Sequence, residues 1–169
     1  MMKIVLLAGA CVAFTGCAGY QLGPTNGMSA GSRSVQVNIF ESKVLEEPRL
    51  GEAVTSALRK ELQQDGTFKL DTRNEGDVIV SGAIVRYRRA GLSFQPRDIL
   101  TPRDYRLTLL AMVTARDRAS GKVLLNRRVQ GQTTVRIGND LTTAERQSMP
   151  IAAEDLARNI TALLVDGEW

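Results

Sequence analysis

The chain has 169 residues, 43% of them hydrophobic and 24% charged, with a formal net charge of +4. It contains no histidine and only two cysteines, Cys11 and Cys17, so the commonest general base and the commonest zinc ligand are excluded. No Cys-x-x-Cys, phosphate-binding glycine loop or Gly-x-Ser-x-Gly pattern is present, and no carboxylate pair stands out in an apolar setting. The expectation is a non-enzyme with no metal and no cofactor. The length suits one domain with its own core.

Met1, Met2 and Lys3 give a positive start, and Ile4 to Phe14 follows as an uncharged, mostly apolar run. That run is too short to span a bilayer, which takes about 20 apolar residues, but it suits a signal peptide. Its end, Phe14-Thr15-Gly16-Cys17, resembles the bacterial lipobox, with Phe14 where leucine is usual. The resemblance implies cleavage before Cys17 and acylation, such as palmitate, at that residue. A plain signal peptide is the alternative. Ala18 in place of the aspartate of inner-membrane lipoproteins implies the outer membrane. Residues 1–16 are thus expected to be a lipoprotein signal peptide and 17–33, rich in Gly and Ser, a lipidated tether. Residues 34–169 are expected to form one domain, anchored to the membrane without crossing it.

Ser34 to Phe40 alternates, with Val35, Val37 and Ile39 on one side, and reads as a half-buried strand. Glu46-Glu47-Pro48 looks like a helix start. Leu50, Val54, Leu58 and Leu62 then build one apolar stripe, and Asp65-Gly66 closes the helix. Phe68 and Leu70 mark a short strand, and Asp77 to Tyr87 a strongly apolar one. From Tyr105 to Ala115, residues Tyr105, Leu107, Leu109, Ala111 and Val113 share a face. Asp117 to Gly121 forms a hairpin loop, and Lys122 to Val135 returns with Val123, Leu125, Val129 and Val135 alternating. Thr142 and Glu145 have the spacing of a capping box. Pro150 makes the following segment's start irregular, and from Ala153 the stripe Ala153, Leu156, Ala157, Ile160, Leu163 and Leu164 runs to about Val165.

These elements predict an α+β fold, with two amphipathic helices packed on one face of a mixed four- to five-stranded sheet. The opposite face carries apolar residues too: Leu110, Met112, Ile79, Val85 and Leu124 by parity. Such a patch is met either by a partner or by loop and tether. Between Arg86 and Arg106 lie six arginines and two aspartates, interleaved with Leu92, Phe94, Ile99 and Leu100. Pro96 and Pro102 there predict a long irregular hairpin loop. Arginine's planar fork holds phosphate oxygens with paired hydrogen bonds. Charge clustering alone therefore makes Arg86, Arg88, Arg89, Arg97 and Arg103 candidates for an anionic amphiphile, against the alternative of a charged hairpin facing solvent. Nucleic acid is not expected at a lipid-tethered, exported protein.

The chain resembles the LPS-assembly lipoprotein family (LptE-like). The resemblance rests on Cys17-Ala18-Gly19-Tyr20-Gln21-Leu22 at the mature start, where Ala18 is inserted relative to the usual Cys-Gly-Tyr. It continues through VQVNIF, LGEAVTSALRKELQQ, DVIVSGAIVRYRR, YRLTLLAMVTARDRASGKVL and AAEDLARNITALL, in that order along the mature chain. The resemblance implies a protein that plugs and helps assemble a large outer-membrane β-barrel translocon (LptD-like), binding lipopolysaccharide and aiding its insertion into the outer leaflet. It implies an address on the periplasmic face of the outer membrane. A structural adaptor for another envelope complex, or a lipid carrier without a barrel, would use the same features.

Overall fold

The structure is a computed structural model that describes residues 30–45, 47–95, 98–136 and 140–167. The expected signal peptide, Cys17 and most of the expected tether lie outside the described residues, as does Arg97. Strands β1 (Ser34–Val37) and β2 (Glu41–Ser42) precede helix α1 (Leu50–Asp65). Then come β3 (Lys69–Asp71), β4 (Val78–Gln95), β5 (Asp98–Asp117), β6 (Val123–Arg136) and helix α2 (Leu141–Val165). The sheet order is β3-β1-β4-β5-β6, with the two-residue β2 adding to β4. β1 pairs parallel with β3 and β4, and β4, β5 and β6 form an antiparallel meander. The α+β architecture, with two helices on a mixed sheet, is the one the periodicities predict.

Both helices lie on one side because both have a single apolar stripe. Leu50, Val54, Leu58 and Leu62 of α1 are buried, as are Ala153, Leu156, Ala157, Ile160 and Leu164 of α2. They meet Val35, Val37, Val78, Val80 and Ile84, and the odd-numbered residues Leu109 to Ala115 of β5, in one core. Phe40 fills the gap between β1 and β2. Its N–H donates to Thr55 Oγ1 at 2.9 Å, and that hydroxyl donates to Gly51 O at 2.7 Å, so the break in the edge is tied to α1.

Several local expectations change. α1 starts at Leu50 and not in the Glu46-Glu47-Pro48 turn: Arg49, with no capping side chain, supplies the first helical carbonyl, to Ala53 N–H. Gly66 ends it in the left-handed region (φ 74°) with its N–H on Leu62 O. α2 begins twelve residues before Ala153 and runs through Pro150. Its cap is Asp140, whose carboxylate accepts from Thr142 N–H at 3.1 Å and Thr143 N–H at 2.9 Å. Glu145 faces β4 instead of closing a capping box. Leu163 is exposed by 38%, at the rim of the stripe.

The described residues between Arg86 and Arg106 are strand, not loop. β4 has 18 residues and β5 has 20, so at about 3.3 Å per residue the hairpin is about 60 Å long. The 16 residues of α1 span about 24 Å and the 25 of α2 about 37 Å. The hairpin therefore outruns its helices as an arm. Pro102 is accommodated by pairing with Phe94 amid register shifts at Gly91, Ser93 and Phe94.

Candidate functional site

A β-bulge decides which arginines the open face of the sheet receives. Ile84 pairs with Ala111 and Arg86 with Leu110, leaving Val85 as the extra residue. Before the bulge, even residues of β4 face the helices; after it, odd residues do. Arg86 and Arg88 consequently lie on the helix-free face, beside Leu110 and Thr108 of β5, and Arg106 joins them opposite Ala90. Gln130 and Gln132 of β6 complete the row. These side chains line a depression of about 400 Å³ with Leu110 in its floor. Arg86, Arg88 and Arg106 are exposed, and none has a carboxylate partner among the described residues. Arg116 and Arg128 lie further along the same face, opposite Ile79 and Met112 respectively.

Arg89 is separated from this row. It points to the helix side and donates to Glu145 Oε2 of α2 at 3.1 Å. Arg103 is exposed on the arm, next to Asp104. Asp104 itself is held: Ser93 Oγ donates to it at 2.5 Å and Arg136 Nε at 3.1 Å, and these bonds lower its pKa below the usual aspartate value. The structure thus brings Arg86 and Arg88 together, sets Arg89 apart, and adds Arg106, with Thr108, Gln130 and Gln132. Parity across three strands is the signal that finds Arg106, once the bulge is known.

The apolar residues of the open face are also redistributed. Ile79, Leu110 and Met112 are there. Val85 sits in the bulge. Leu124 packs against the core instead, because a second irregularity, between Ala115 and Arg116, shifts β6. The same shift turns Val123 opposite Arg116, leaving it exposed. On the arm, Leu92, Phe94 and Leu100 are exposed by 42%, 47% and 87%. No described helix is long and apolar enough to cross a membrane, and the described residues hold no cluster of metal-binding side chains.

The sequence and the topology of the domain have counterparts among known families and solved structures, respectively. The family model LptE, lipopolysaccharide-assembly, matches residues 32–164. The chain belongs to the LptE family. Among solved structures, a Xanthomonas campestris protein of the DUF330 family superposes with a TM-score of 0.62 at 9% identity, covering 86% of this chain and 91% of the other. A minor lipoprotein from Acinetobacter baumannii gives 0.51 at 16% identity, over 79% and 93%. The PelC dodecamer subunit from Paraburkholderia phytofirmans gives 0.52 at 16% identity, over 80% and 90%. At these identities the likeness is one of fold. No curated protein matches the chain in sequence. LptE membership places the protein among lipopolysaccharide-assembly lipoproteins.

Proposed function

We propose that this LptE-family protein is an outer-membrane lipoprotein that plugs and helps assemble a large β-barrel translocon, binding lipopolysaccharide and aiding its insertion into the outer leaflet. Lipid on Cys17 holds the domain at the periplasmic face, with residues 1–16 removed and the segment after Cys17 as tether. Gly31 N–H donates to Thr67 O at 2.9 Å and Arg33 pairs with Asp117 at 2.7 Å, so the tether's end is already seated on the domain. The observation that carries the reading is the row of Arg86, Arg88 and Arg106 beside Leu110, without a carboxylate partner among the described residues, on a chain whose family assembles lipopolysaccharide.

The mechanism is non-covalent. Guanidinium groups replace the cations that bridge neighbouring lipid A and core phosphates, by paired charge-assisted hydrogen bonds. Thr108, Gln130 and Gln132 add neutral donors, and the apolar side chains of the face and arm lie along acyl chains. Arg103 extends the cationic surface along the arm, and Arg97 is a further candidate by charge clustering in the sequence. No step requires an enzyme, a metal or a cofactor.

Two measurements test this. Purification of the acylated protein from gently solubilised outer membrane should yield a stoichiometric large barrel; a different complex, or bound lipid alone, would replace the plug reading. The double substitution Arg86→Glu with Arg88→Glu should weaken lipopolysaccharide binding at least tenfold at unchanged melting temperature. Unaltered binding would remove the arginine row from the mechanism.

A further inference from the structure

β6 forms one edge of the sheet, and the molecule caps only half of it. Asn159 Nδ2 of α2 donates to Gln130 O at 2.8 Å, and Asp155 Oδ2 accepts from Gln132 N–H at 2.9 Å. These two bonds fix which backbone groups look outward. In an antiparallel ladder the outward direction alternates, and the β5–β6 register is unbroken from Leu125 to Arg136. The N–H and C=O groups of Asn126 and Arg128 therefore also point away from β5, and no described residue bonds them. Beside this stretch lies a groove of about 770 Å³ between β6 and the last turns of α2, lined by Leu124, Leu125, Val129, Ala162 and Leu163.

We infer that residues 124–129 are a docking edge for an extended, acidic segment of another protein, which would add as a further strand. An uncapped edge above an apolar groove is the geometry by which sheets take up peptides: main-chain bonds hold the strand and alternate side chains fill the groove. The charge of the edge selects the occupant. β6 carries Arg127, Arg128 and Arg136 and no acidic residue, and the groove beside it sets Arg127 and Arg128 against a single carboxylate, Asp166 at the end of α2. Arg127 stands on the helix side opposite Val113, and Arg128 on the open side opposite Met112. A docking strand thus meets one guanidinium on each face and is favoured by two consecutive carboxylates, flanked by apolar residues against Leu125 and Val129. A second copy fits poorly, because pairing centred on Arg127 or Arg128 opposes identical charges. The chain's own segment 18–33 contains no acidic residue. The inference does not rest on Arg86, Arg88 and Arg106 or on the barrel, and shares with that row only the face on which Arg128 lies.

The test uses the full chain in detergent and the synthetic peptide acetyl-Thr-Val-Glu-Glu-Thr-Val-Thr-amide. Titration should shift and protect the amides of Asn126 and Arg128. The peptide with two lysines for the glutamates, and the peptide N-methylated on its backbone, should each bind at least tenfold more weakly. Arg128→Pro deletes an outward donor together with one of the two guanidiniums and should lose binding at least tenfold while keeping the β5–β6 ladder. Arg127→Glu with Arg128→Glu should reverse the preference toward the lysine peptide. Equal binding of the N-methylated peptide overturns strand addition, even if Arg128→Pro fails to fold. Equal binding of the lysine peptide overturns the acidic occupant. Concentration-dependent dimerisation blocked by the peptide, or no binding of any peptide, overturns the proposal as a whole.

Discussion

Arg88 and Arg89 are neighbours in sequence and belong to different interactions. Arg89 is half exposed and bonds a largely buried Glu145, so its reversal sets two carboxylates together where the arm meets α2. Arg89→Glu should cost ~0.5 kcal/mol of stability, seen as a lower melting temperature, and Glu145→Arg should restore it. Lipopolysaccharide binding should respond to Arg88 and not to Arg89. Gly131 makes a second prediction at this scale. A Cβ on it would overlap the backbone and side chain of Leu156 and the carbonyl of Ala152, because α2 lies directly on β6 there. Gly131→Ala should destabilise by about 1–3 kcal/mol in chemical denaturation. The parity of Leu107, Leu109, Ala111 and Val113 was legible from the residues, since alternation on a regular strand is unambiguous. The separation of Arg88 from Arg89 was legible only as adjacency. Which one faces the helices depends on Val85, and no residue type announces a bulge.

At the scale of elements, the stripes of α1 and α2 were visible because burial on one side imposes a 3.6-residue period. Leu58, fully buried between helix and sheet, should lose about 2–5 kcal/mol on substitution by alanine. Helix ends were less legible. Asp140 took the cap expected of Thr142, because two N–H donors lie within reach of its carboxylate. Those bonds, with the Thr143 hydroxyl first, lower the Asp140 pKa. A carboxylate whose folded pKa is depressed stabilises the fold above its unfolded value and loses that contribution as pH falls through the folded pKa. Asp71, Asp77, Asp104 and Asp117 are lowered likewise, led by hydrogen bonds from Glu75 N–H, Ser34 N–H, Ser93 Oγ and Ser120 N–H respectively. Stability should be flat above the ordinary aspartate value of 3.8 and fall progressively below it. Asp140→Asn should flatten part of that fall in an acid titration followed by circular dichroism. The arm was misread as loop because Pro96 and Pro102 break regular pairing in most strands, whereas here Pro102 sits among register shifts that tolerate it.

Across the whole molecule, the two faces of one sheet have separate duties. The helix face holds the core, and the open face collects Arg86, Arg88, Arg106, Arg116 and Arg128. The lipopolysaccharide binding proposed for this solvent-exposed face should weaken steeply with ionic strength and with added divalent cations, measured as the salt dependence of lipopolysaccharide affinity. Stability, held by the apolar core, should change little over the same range. The described residues contain no cysteine, so the melting temperature should also be indifferent to reductant.

The arm's excess length over the helices has a dynamic consequence. β6 pairs with β5 only as far as Asp104, opposite Ser93, so amides at Phe94 and Gln95 hang from a two-stranded ribbon, while those at Val80 and Ala111 are roofed by the core. Hydrogen exchange should therefore run as a gradient, fast at the tip and slow at the root, with the ribbon opening and closing many times for each unfolding of the body. A ligand gripping the ribbon would quench that breathing and leave the melting of the body where it was.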